Sequence, residues 1–447
     1  MSIAPQLRTA AWHGDNPLHL DFPAGWNVTT HWPKTPAPLT DAQIAECLQN
    51  PVGQHRIREL CKGKARPVIL VDDVNRPTPV ARIMPFLLQE FAAAGIQKPN
   101  ITIVIARGSH GPSESKSMLL KVGEEAAGGC RVLMHDPYGN TSKVGTTSFG
   151  TPVHANRHVL KSDFVMGIGG LYPNNTAGFG GGSKLALGVL DVRVISQLHR
   201  KHKGAGWGAQ GAENSFRKDL DEIARMIGMQ TMITGHVDAN RELVRMVSGD
   251  FRQYYGAEVA FARDAFRAPK PAGADVVISN AFPNDLSLTF VHMKGVNPLR
   301  HAPREASRIV LGACSEGEGF HGVYPIVRMP LFHEQRDRLR RISLMTPAEI
   351  ATKISEKLRT KLSHKRSEDS APSMSGRKEP SQAASKAKNP IWMYRTGTAQ
   401  NGLPSVVRGM HVLHNWNDVL AMVNKEQGGR SDLNVVVYPC APLQVIE

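Results

Sequence analysis

The stretch Val68-Ile69-Leu70-Val71-Asp72-Asp73-Val74-Asn75-Arg76-Pro77 decides the fold. An aliphatic run too short for a helix, closed by carboxylates and a proline turn, predicts a buried strand, Val68–Val71, that ends in a polar loop. The pattern recurs at Ile101–Ile105 before ARGSHGP, and at Asp163–Gly167 before the loop containing LYPNN. Between the first two runs, Ala81–Ala94 repeats its apolar residues at helical spacing and stops at Gly95. Strand alternating with helix argues for a parallel α/β sheet. In such sheets ligands collect at the carboxyl ends of the strands, where all three loops fall.

A second series follows the proline-rich segment Ala268–Ala272: strands are expected at Val276–Ser279, Ile309–Leu311 and Asn434–Tyr438. The expected division is therefore residues 1–270 and 271–447, each α/β with a mostly parallel, Rossmann-like sheet, and the active site in the cleft between them. The chain has 447 residues, long enough for two such units. The segment from His364 to Lys388 is almost devoid of apolar residues and reads as a flexible insertion.

Lys and Arg number 54 against 39 acidic residues, a formal charge of +15, which favours anionic partners. No helix-turn-helix, zinc-finger or aromatic-stacking motif accompanies the charge, so no specific nucleic acid is expected. Cys47, Cys61, Cys130, Cys314 and Cys440 are scattered without a C-x-x-C pair, which points to reduced thiols. With no signal-peptide pattern and no apolar run long enough to span a bilayer, the expected location is cytoplasmic, away from membranes.

Three loops carry residues suited to chemistry. Arg76 could form a bidentate pair with a carboxylate or phosphate, oriented by Asp73, and a structural Asp–Arg pair fits the residues equally well. His110, between Gly108 and Gly111, suits general acid/base work or a solvated loop. Gly178-Phe179-Gly180-Gly181-Gly182-Ser183-Lys184 could form an anion-binding turn or a plain flexible loop, and it is no Walker A motif because Leu185 follows the lysine. Downstream, Asp191–Arg200 reads as helical and carries His199. A metal held by protein side chains alone is not expected, since no H-E-x-x-H or paired His/Cys set occurs. In the second series Lys294 could close over an anion or sit at the surface.

Taken in order, TAAWHGDNPLHLDFPAGWNV, DDVNRPTP, ARGSHGP, HDPYGN, LYPNNTAGFGGGSKLALGVL, NAFPND, MKG and ACSEGEG resemble the nickel-pincer lactate racemase family over nearly the whole chain. The resemblance implies an isomerase that inverts C2 of a 2-hydroxy acid by hydride transfer. It also implies a covalently tethered nickel-pincer nucleotide, a pyridinium mononucleotide carrying thioacid sulfurs and Ni, made by cofactor-biosynthesis proteins. By position Lys184 is the tether, His199 the nickel ligand, and His110 the first acid/base histidine. Asp73, Arg76, Gly181, Gly182 and Ser183 match the cofactor-binding loops, and Lys294 matches an anion-binding lysine, with Arg76 also facing substrate.

Three positions depart from the family. Asn174 stands where the second acid/base histidine is expected, and an amide cannot exchange a proton near neutral pH. Tyr172 and His292 are the candidates to take its place, Tyr172 also as a substrate contact. Arg107 replaces a small residue and would read a second anionic group on the substrate. The second-domain glutamine is not found near Lys294, where Phe290 and Val291 stand. These departures leave an alternative, a family-shaped binding or regulatory protein with reduced catalysis.

Overall fold

Six consecutive buried residues, Pro67–Asp72, run through the centre of a six-stranded sheet in the computed structural model. The structure describes residues 6–111, 115–209, 214–324, 355, 390–397 and 402–447. The insertion expected at 364–388 lies outside them.

In chain order the strands of the two large sheets are β1 (Asn27–Thr30), β2 (Pro67–Asp72), β3 (Thr102–Ala106), β4 (Arg131–Met134), β5 (Phe164–Gly170), β6 (Met229–Val237), β7 (Leu243–Gly249), β8 (Val276–Asn280), β9 (Ser307–Gly312), β10 (Ile391–Arg395), β11 (Val406–Val407), β12 (Met410–Leu413) and β13 (Asn434–Tyr438). The first sheet has the order β7-β6-β5-β2-β3-β4, and only the β6/β7 pair is antiparallel. The second has the order β11-β12-β10-β9-β8-β13-β1, and only β11/β12 is antiparallel. The α/β class with mostly parallel sheets is thus borne out.

Both sheets are buried on two faces, as parallel sheets require. Helix α1 (Val80–Ala93) lays Ile83, Leu87 and Phe91 on one face of the first sheet against Ile69, Val71 and Ile103. The other face packs Val68, Leu70 and Val104 against Ile195 and Leu198 of α2 (Val192–Lys201) and Phe216 and Leu220 of α3 (Ser215–Met226).

One connection was not legible in the sequence. Strand β1 comes from the start of the chain, yet it pairs in parallel with β13 at the end, Val28 opposite Val435. Leu7, Leu18, Leu20 and Trp26 join the core around Val276, Ile278 and Val437. A boundary near residue 270 separates the sheets in chain order, while the N-terminal segment completes the second one.

Chain order reverses on either side of β2: β3 and β4 extend one way, β5 to β7 the other. The loops after β2, β3 and β5 therefore open at a switch point, the natural crevice of such a sheet. Trp12 fastens this end, its indole N–H donating to the Val74 carbonyl at 2.8 Å, with Phe282 and Leu286 packed beside it.

Candidate functional site

A cavity of about 400 Å³ opens at these strand ends, a size that suits a small molecule. Its wall includes Asp73 and Arg76 after β2, Arg107 and His110 after β3, and Tyr172, Asn174, Gly181 and Lys184 after β5. His199 of α2 also lines it, as do Phe290, His292 and Lys294 after β8 and His321 and Tyr324 after β9. The loops thus converge from both sheets.

His110 is held through Nδ1, which donates to Asp73 Oδ2 at 2.8 Å. Burial opposes ionisation of Asp73, but the charge and hydrogen bond of His110, with Arg76 behind them, hold its carboxyl well below the usual carboxylate range. For His110 burial wins over Asp73 and pushes the imidazole below its ordinary value, so it stands neutral with Nε2 open to the pocket. Neighbouring Asp72 is engaged elsewhere: its Oδ1 pairs with the buried Lys121 amine at 2.6 Å, and its Oδ2 accepts from the Thr78 hydroxyl and the Gly170 N–H.

Lys184 begins a single helical turn, Lys184–Leu187, entered through Gly181 (φ +70°) and Gly182 (φ +55°). A side chain on Gly181 would meet the Gly170 carbonyl at 3.1 Å, so glycine lets the two loop segments touch. Burial, then Arg76 and Arg217, push the Lys184 amine down to about 7. The amine is therefore partly free base at neutral pH, the form a nucleophilic lysine needs.

Helix α2 opens on Asp191, whose carboxylate accepts from the Arg193 N–H, and buries Ile195 and Leu198. That face carries His199 to the pocket. Its Nδ1–H donates to the Ile195 carbonyl at 2.7 Å, which fixes the tautomer and leaves the Nε2 lone pair free. Burial, then the Lys184 charge, lower it to about 4, so the ring is a neutral donor for a metal. Among the described residues no group of three or more His, Cys, Asp and Glu side chains is placed to hold a metal ion.

Other expected residues are placed differently. Gly182 packs on Tyr255, and the Ser183 hydroxyl is buried, accepting from Arg217 at 3.3 Å; neither lines the cavity. Arg107 lines it, but its guanidinium donates to the carbonyls of His135 (2.7 Å) and His110 (2.6 Å), so it braces the loop. The Tyr172 hydroxyl is bonded to Thr78 and burial pushes its pKa up, which makes it a poor proton exchanger. Asn174 spends its amide oxygen on the N–H groups of Thr176 and Ala177, both at 2.9 Å. His292 lines the pocket half-buried. Lys294 is buried over the Trp207 ring at 5.8 Å, and burial, then Arg76 and Lys184, lower its amine well below the usual range.

His321 was missed by the sequence reading, which stopped at ACSEGEG, two residues short of it. A signal existed: Gly319-Phe320-His321-Gly322 repeats the G-x-H-G pattern of Gly108-Ser109-His110-Gly111, and each follows a strand.

Residues 13–208 match the family model of the lactate racemase N-terminal domain. The lactate racemase of Thermoanaerobacterium thermosaccharolyticum is 26% identical over 290 residues, 63% of this chain and 67% of that protein. That of Lactiplantibacillus plantarum is 26% identical over 293 residues, 63% of this chain and 68% of that protein. Among solved structures, the lactate racemase apoprotein from T. thermosaccharolyticum superposes over 99% of this chain and 100% of its own, with TM-score 0.65 at 19% identity. A Thermotoga maritima protein of the same fold covers 92% of this chain and 100% of its own, with TM-score 0.55 at 13% identity. The chain is therefore similar to the lactate racemases, as its motifs indicated.

Proposed function

We propose that this protein is a racemase or epimerase that inverts C2 of a 2-hydroxy acid, with a nickel-pincer nucleotide tethered to Lys184. The observation that carries the reading is one pocket holding three prepared groups: an amine lowered to about 7, a neutral His199 with a free Nε2, and the Asp73-held His110. Those groups fit the cofactor. Lys184 would carry it, His199 Nε2 would ligate its nickel, and Arg76 with the turn at Gly181 would face its anionic part. When bound, the cofactor supplies the acceptor and donor of the C2 hydrogen with its electron pair.

The chain's own residues do the rest. Among the described residues the cavity wall carries Arg76, Arg107, Lys184, Lys294 and Arg300 against Asp72 and Asp73, so it attracts a carboxylate. An arriving anion favours the charged form of Lys294 and is held against it. His110 Nε2 takes the substrate hydroxyl proton, while Asp73 orients the ring and stabilises the imidazolium that forms. The same proton then returns to the oxygen after the C2 carbon has turned its other face. A second reading, a binding protein with reduced catalysis, is favoured by Asn174, whose amide oxygen is occupied by its own turn.

The test is co-expression with the cofactor-biosynthesis proteins, followed by intact mass, nickel content and a screen of single-enantiomer 2-hydroxy acids. A mass increase located on Lys184, bound nickel and stereochemical exchange are expected. An unmodified Lys184 after such co-expression would overturn the cofactor assignment, and loading with ligand binding but no exchange would favour the second reading.

A further inference from the structure

The two G-x-H-G segments are bonded to each other. Gly111 N–H donates to the Phe320 carbonyl at 2.8 Å, and Gly322 N–H donates to the Ser109 carbonyl at 2.7 Å. The pairing is reciprocal, each glycine after a histidine reaching the residue before the other histidine. Gly108 and Gly319 both take positive φ, +57° and +63°. The imidazoles are thereby brought to ring centroids 5.0 Å apart, and Phe290 lies edge-on to His110 at 5.0 Å. His321 is 6% exposed and lines the cavity.

Yet the two rings are held in opposite senses. His110 uses Nδ1 as a donor, to Asp73, and presents the lone pair of Nε2. His321 uses Nδ1 as an acceptor, taking the N–H groups of Val323 and Tyr324 at 3.2 Å each. A neutral ring bonded in that way carries its hydrogen on Nε2. Among the described residues Nε2 of His321 has no partner, so a donor stands unused in the pocket wall. Protonating Nδ1 would also set a hydrogen against two backbone N–H groups, which opposes the cation. Burial, followed by the charges of His110 and His199, acts in the same direction.

We propose that His321 is a substrate-contacting residue that donates a fixed Nε2–H hydrogen bond to the oxygen on the reacting carbon, opposite the His110 base, so that one histidine alone moves the proton. The inference rests on the 2-hydroxy acid reading above. In the forward direction the hydroxyl proton passes to His110 Nε2, the C2 hydrogen leaves with its electron pair for the acceptor that the cofactor would supply, and the oxygen becomes a carbonyl oxygen. His321 keeps its own hydrogen throughout and stabilises the negative charge that grows on that oxygen as the proton leaves. In the return direction His110 gives the proton back.

Two measurements separate this inference from the reading beneath it. In the full-length protein labelled with 15N-histidine, at pH 7.5 and without cofactor, the His321 resonances, assigned by their loss in His321→Gln, should show hydrogen on Nε2 and none on Nδ1. Hydrogen on Nδ1 would overturn the donor, whatever the enzyme's activity. In the loaded protein, His321→Gln, which retains an N–H donor, should stay within about 10-fold of the parent kcat, and His321→Phe, which has none, should fall by about 10²–10³-fold. Equal losses in the two folded variants would overturn it. Thermal melts of both establish that they fold. A parent protein that loads cofactor but exchanges no hydroxy acid refutes the underlying reading, and the tautomer result then stands by itself.

Discussion

The His110–Asp73 pair carries a definite pH dependence. Burial lowers the His110 pKa and Asp73 raises it, with a net position below the ordinary 6.5. The base must be neutral to work, so kcat/KM should be level at neutral pH and fall as pH drops through a midpoint below 6.5. Asp73→Asn removes the raising partner. It should move that midpoint lower still and cut kcat by about 10²–10³-fold, because the ring loses both its orientation and the charge that supports the imidazolium. A pH–rate profile of the two proteins checks both.

Lys184 has the opposite relation to stability. Its amine is lowered to about 7 when folded and titrates near 10.4 when unfolded, so the native apoprotein binds fewer protons than the unfolded chain between those values. Stability from this group is therefore least below pH 7 and rises toward pH 10. Lys184→Met should stabilise the apoprotein at pH 7 by about 1–3 kcal/mol and flatten that rise while abolishing cofactor attachment. Thermal unfolding from pH 6 to 10 reads both effects. That His110 and Lys184 stand at strand ends was legible because each follows a strand in a glycine-bearing loop. Nothing in the sequence marks Arg107 as an arginine that also binds two carbonyls of its own surroundings.

Among the elements, the turn bearing Lys184 and the loop bearing His110 meet at a tight junction. Gly108 N–H donates to the Gly188 carbonyl at 2.9 Å, and a Cβ on Gly188 would meet the Ala106 oxygen at 2.3 Å. Gly188→Ala must therefore part the two segments. It should lower stability by about 1–3 kcal/mol and reduce activity beyond that, because tether and base separate. Gly95→Asn is the control: its φ is +81°, asparagine tolerates that region, and nothing lies within 4 Å of the added carbon. It should change the melting temperature little. Strands β2, β3, β5, β8 and β9 were legible because each is an aliphatic run ended by punctuation. Strand β1 was not, since Asn27-Val28-Thr29-Thr30 is short and polar and becomes a strand only through its partner β13.

For the whole molecule, β1 makes the beginning of the chain a structural part of the second sheet. Removing residues 1–31 would strip an edge strand and Leu7, Leu18, Leu20 and Trp26 from its core. The shortened protein should unfold at least 10 °C lower, or fail to accumulate, whereas an ordinary terminus tolerates trimming. Differential scanning calorimetry makes the comparison. That dependence also explains why a division at residue 270, natural in the sequence, is not a safe place to cut the gene.

The reciprocal bond between the two G-x-H-G segments gives the site a built-in reporter. The amides of Gly111 and Gly322 are held by one contact made between distant parts of the chain, so neither can meet solvent deuterium unless the segments part. Their hydrogen-exchange rates should match and respond together to denaturant, and both should slow when a ligand bridges the histidines. Two protons on the backbone thus measure how often the pocket ceases to exist.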